Sequence, residues 1–107
     1  TVRGTPSAEF LTRELVAHRT RPTLEEALDL LLDRRVDAVV YDRPLLLHEA
    51  HGRLEERVRV LPVVFEPQDY AFALAPGSEI RERVNRALLE VRASRWWREQ
   101  RFLRLGE

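Results

Sequence analysis

The sequence contains no cysteine. That excludes a disulfide framework, a thiol nucleophile and cysteine-ligated zinc, and leaves the redox compartment open. Lysine is missing too, since all eighteen basic residues are arginine; without it there is neither a Schiff-base residue nor a P-loop. Net charge is also absent, because eighteen carboxylates balance the eighteen arginines. A zero balance removes the general attraction to phosphate on which non-specific nucleic-acid binding depends, so a nucleic-acid partner is not expected. No apolar run approaches the roughly 18 residues of a membrane-spanning helix. Internal repeats, low-complexity tracts, Gly/Ser linkers and a leader-like start are likewise missing, and Thr1 is expected to lie within something longer.

What is present fits one modest core: 107 residues, 44% apolar and 34% charged, a balance unlike that of disordered chains. Phe10, Leu11, Glu14, Leu15 and His18 fall at helical spacing, so a first helix is predicted over 7–18 with Pro6 in its first turn. Thr23-Leu-Glu-Glu26 has the form of a capping box, and Leu24, Ala27, Leu28 and Leu31 continue it as an apolar stripe. Val36 to Tyr41 is a nearly continuous β-branched run, which reads as a strand covered on both faces. Asp42 and Pro44 suit the start of a third helix. Residues 58–65 and 70–74 read as further extended segments. Ser78 is placed as the cap of a long helix with Ile80, Val84, Ala87, Leu88 and Val91 on one face, followed by a last helical segment with Trp96, Trp97, Phe102 and Leu103. The alternation of strand and helix predicts an α/β fold, a mostly parallel sheet flanked by helices.

In such a fold ligands bind where strands run out into helix starts. Two places qualify. Val2-Arg3-Gly4-Thr5-Pro6-Ser7 brings a glycine turn and two hydroxyls to a helix N-terminus, where free N–H groups favour an anion such as a carboxylate. Asp42 follows the apolar run directly and is suited to receive an ammonium group. Together they offer what a zwitterionic amino acid needs, although Thr5, Ser7 and Asp42 are also ordinary capping residues, and both readings stay open. His48-Glu49-Ala50-His51 lacks the four-residue histidine spacing of zinc proteases, so no metal site is expected. No Gly-x-Ser-x-Gly elbow and no acid/base pair stands out, and no catalytic residue or cofactor is expected. Trp96 and Trp97 are adjacent, point different ways on a helix, and read as packing rather than base stacking.

Four stretches taken in order carry a resemblance. They are Gly4-Thr-x-Ser7, Thr23-Leu-Glu-Glu-Ala-Leu28 before Arg35-Val-Asp-Ala-Val-Val-Tyr-Asp42, Pro67-Gln-Asp-Tyr-Ala-Phe-Ala-Leu-x-Pro-Gly-Ser78, and Arg81-x-x-Val-Asn-Arg-Ala-Leu-Leu89. Across nearly the whole chain they resemble the second lobe of the periplasmic amino-acid-binding proteins of ABC transporters and of the ligand-binding cores of ionotropic glutamate receptors. The resemblance implies one lobe of a clamshell that closes on an amino acid, with residues 1–75 as the lobe and 76–107 as returning helices that would pack on an absent first lobe. It implies Thr5 as a carboxylate ligand, Asp42 as the ammonium ligand, and Arg3, Gly4, Ser7 and Tyr41 as pocket lining.

The sequence departs from the family pattern at Pro6, which supplies no N–H, and at Arg43 beside the key aspartate. The function implied is extracytoplasmic recognition of an amino acid or similar solute, on the periplasmic or extracellular side, within a bacterial glutamate-receptor-like channel and partnered by membrane channel or transporter subunits. A transporter component and a non-binding sensor domain are the alternatives. Without its first lobe the chain is expected to self-associate as a homodimer through the stripe on helix 78–93.

Overall fold

The computed structural model describes all 107 residues and contains five helices: α1 (Pro6–Arg13), α2 (Leu24–Leu32), α3 (Arg43–His51), α4 (Arg81–Ala93) and α5 (Arg95–Leu105). The expected α/β architecture is therefore corrected: the chain is all-helical, contains no sheet, and is not a parallel-sheet clamshell lobe. The one trace of pairing is an isolated parallel bridge between Val2 and Arg21. The physical reason is that a β-branched run favours an extended backbone but cannot satisfy its own N–H and C=O groups, which need a second strand alongside. Residues 36–41, 58–65 and 70–74 belong to no strand. Val36, Val39, Val40 and Tyr41 are half-buried while Asp37 and Ala38 are exposed, so this run is not covered on both faces.

The chain divides into two compact units, Thr1–Glu66 and Pro67–Glu107. The first holds all the buried side chains: Val2, Ala8, Leu11, Ala27, Leu28, Leu30 and Leu54. Their placement follows from the local pattern. Ala27 and Leu28 come from the expected stripe of α2, whose other members Leu24 and Leu31 are only half-buried, while Leu30 is buried from outside it; Thr23 closes the N-terminus of α2 by accepting a hydrogen bond from the Glu26 N–H at 3.2 Å. Leu54 follows α3 after a turn in which its own N–H donates to the Glu49 carbonyl at 2.9 Å.

Helix α1 stops at Arg13, five residues short of the expected end. Leu15 takes a left-handed backbone (φ 57°), its N–H bonds to the Thr12 carbonyl, and the Val16 N–H reaches back to Leu11. This is the Schellman arrangement, which closes the last free carbonyls. Helix α2 ends in the same way at Arg34 (φ 57°), with bonds from Arg34 to Leu31 and from Arg35 to Leu30.

In the second unit no side chain is buried. Here Ser78 does not cap α4: the helix starts at Arg81 after Ile80, which has no capping side chain, because Ser78 is drawn into a turn with Ala75. A serine that the sequence reading passed over does more. Ser94 sits between α4 and α5, its hydroxyl donating to the Val91 carbonyl at 2.6 Å and accepting from the Trp97 N–H at 3.1 Å, so one residue closes one helix and opens the next.

Candidate functional site

The first group of expected site residues lies at the start of α1. Thr1 to Arg3 is held against residues 19–21 by three bonds: the Thr1 amino group donates to Arg19, Arg21 to Thr1 and Arg3 to Arg21, at 2.9–3.0 Å. Gly4 then turns the chain with φ 69°, a conformation that glycine adopts without cost, and a Cβ there would meet nothing within 4 Å. The Thr5 hydroxyl donates to the Val2 carbonyl at 2.7 Å and accepts from the Ala8 N–H at 3.4 Å. It is therefore the N-cap of α1. Pro6 brings no N–H and Ala8 directs its own to Thr5, which leaves Ser7, half-buried, as the backbone donor of the first three helical positions.

The second group lies at the start of α3. Tyr41, Asp42 and Arg43 are all half-buried. Asp42 occupies the N-cap position, and its backbone carbonyl accepts from the Leu45 and Leu46 N–H groups, each at 3.1 Å. Its side chain makes no capping bond to α3, and Asp42 has a further partner. Thr5 and Asp42 thus differ in kind: one hydroxyl serves its own helix, whereas the other side chain is not used for that purpose.

The structure gathers Arg3, Gly4, Thr5 and Ser7 at one helix start and Tyr41 and Asp42 at another, both within the unit Thr1–Glu66. The strand ends that the sequence reading put beneath them are absent, so the sheet that would have aligned the two is not what positions them. His48 and His51 lie on α3, and no group of three or more His, Asp or Glu side chains forms a metal-binding set.

One cluster went unread in the sequence. Phe10 stacks on Phe65 with ring centroids 4.6 Å apart, and Arg13 lies 5.4 Å from the Phe10 centroid while bonding Glu66 at 2.6 Å. It fastens the segment around Phe65 to α1. Arg13 and Glu66 are 53 positions apart, so no local periodicity could have linked them. A shallow depression of about 490 Å³ runs along α5, lined by Arg95, Arg98, Glu99, Phe102 and Leu103, none of which is an expected site residue. No helix is long and apolar enough to cross a membrane. Comparison with known protein families, curated proteins and solved structures finds no match to this chain.

Proposed function

We propose that this chain is the ligand-recognising segment of an extracytoplasmic receptor for an amino acid or a similar small polar solute, within a bacterial glutamate-receptor-like channel. The observation that carries the reading is the place of Asp42: it stands half-buried at the start of α3, does not cap that helix with its side chain, and already has another partner, with which a ligand would compete. A carboxylate so placed is suited to a charge-assisted bond with an α-ammonium group. Arg3, Gly4, Thr5 and Ser7 supply the turn and helix start toward which a carboxylate would be drawn, with Ser7 as the main backbone donor. The ligand class comes from the sequence resemblance alone, and the sheet that would bring the two helix starts together in that family is absent here.

A second reading has its own support. The Thr5 hydroxyl is already paired at both Val2 and Ala8, and Pro6 removes a donor, which favours a non-binding interaction domain descended from a binding one. Isothermal titration calorimetry of the proteinogenic amino acids into the protein containing this chain separates the two. Under the first reading one of them binds, and Asp42→Asn weakens it by about 2–4 kcal/mol while the helical content stays the same. No heat with any amino acid, or equal affinity of wild type and variant, would support the second.

A further inference from the structure

Residues 59–66, the last stretch of the first unit, are anchored by backbone at one end and by side chains at the other. The final backbone bond before the stretch runs from the Val58 N–H to the Leu54 carbonyl at 3.3 Å, and none follows within it. None of its side chains belongs to the buried core. An extended run with no strand beside it has no ladder to keep it in place. What holds it is the cluster at its far end. The Phe65 ring stacks 4.6 Å from Phe10, and the Glu66 carboxylate lies 2.6 Å from Arg13, whose guanidinium is also 5.4 Å from the Phe10 centroid. Phe10 and Arg13 stand three residues apart on α1, so one face of that helix makes both contacts.

The closed arrangement is strained at the same place. Glu66 has a left-handed backbone, φ 51°, and is followed directly by Pro67. A residue with a Cβ is disfavoured in that conformation, and a residue before proline is pushed toward the extended region. Both effects favour release of Glu66 from the backbone geometry that brings it to Arg13. The contacts opposing release are an aromatic stack and an exposed ion pair, each worth only a few-fold to about tenfold in an equilibrium constant. Strain and contacts are therefore of the same order, which is the condition for a segment with two accessible positions.

We propose that residues 59–66 are a strap closed on α1 by a strained clasp, Phe10–Phe65 with Arg13–Glu66, and that the strap opens while the core of the first unit stays folded. Opening bares the Phe10 face of α1 and frees the point at which the chain leaves the first unit. The test is limited tryptic digestion of the full chain under native conditions. Mass spectrometry follows cleavage after Arg57 and Arg59 at the base of the strap, with cleavage after Arg53, beside the buried Leu54, as the measure of core unfolding. Cleavage at the strap should run ahead of cleavage after Arg53. Phe65→Ala should speed it about tenfold and Arg13→Gln about threefold. Thr23→Ala weakens the core through a helix cap that touches no part of the clasp, so it should leave the strap sites unchanged while speeding cleavage after Arg53. Glu66→Ala and Glu66→Gly remove the same carboxylate, but only glycine relieves the left-handed backbone, so the glycine variant should be cut more slowly than the alanine one. Equal rates at the strap and after Arg53, or a strap cut no faster in Phe65→Ala than in the wild type, overturn the proposal. So does a Thr23→Ala variant whose strap is cut as much faster as its core, and a Glu66→Gly variant cut as fast as Glu66→Ala overturns the strain at the clasp.

Discussion

Leu54 is the side chain on which the stability of the first unit turns. It is 1% exposed and is the largest fully buried residue of the chain, in a core of only seven apolar side chains. Replacing it with alanine removes three carbon atoms, for a transfer loss of about 2.4 kcal/mol at roughly 0.8 kcal/mol per methylene. The neighbours cannot fully collapse onto the gap, because Leu54 is reached through a turn fixed by its own bond to Glu49 and by Arg53, which pairs with Glu49 at 3.1 Å. A cavity contribution therefore adds to the transfer loss, and the expected destabilisation is about 3 kcal/mol, inside the usual range for buried leucine. A domain of this size is stabilised by only about 3–10 kcal/mol in all, so the variant should melt about 12–24 °C lower or fail to fold at room temperature. Thermal and urea unfolding followed by far-ultraviolet circular dichroism measure it. Leu15→Ala is the control, because Leu15 is 92% exposed and its truncation should cost less than about 0.5 kcal/mol. If the two variants lose the same stability, the small core is not what holds the unit together and the reasoning fails.

Other expectations use the same unfolding measurements. Leu15→Gly and Arg34→Gly should each stabilise by about 1 kcal/mol, because both positions are left-handed helix ends occupied by residues with a Cβ; a loss of stability would contradict the strain argument. Thr23→Ala should cost about 1 kcal/mol as a plain cap loss, and Thr5→Ala more, since the Val2 carbonyl loses its donor as well. Equal costs would show that the Thr5–Val2 bond contributes nothing.

The helices with side-chain signals near their ends were legible in the sequence. The hydroxyl cap at Thr23 is a local device: hydroxyl and N–H are three residues apart, so their meeting needs nothing beyond the helix itself. Pro44 near the start of α3 and the Ala27 and Leu28 positions of the α2 stripe were readable for the same reason, since both depend on spacing within one turn or two. The end of α1 was not, because Leu15 stands where glycine usually announces a stop.

The extended segments show where sequence stops deciding. Val36–Tyr41 and residues 58–65 have the β-branched composition of strands, but a strand exists only when a second chain segment supplies hydrogen bonds at the right register, and that is a property of distant residues. The same distance hides the Phe10–Phe65 stack and the Arg13–Glu66 pair. The candidate site divides along this line. Residue type and position at helix starts, at Thr5 and Asp42, were set by the sequence; whether each side chain closes its own helix or not was decided by the fold, because the choice depends on which partners come within about 3 Å.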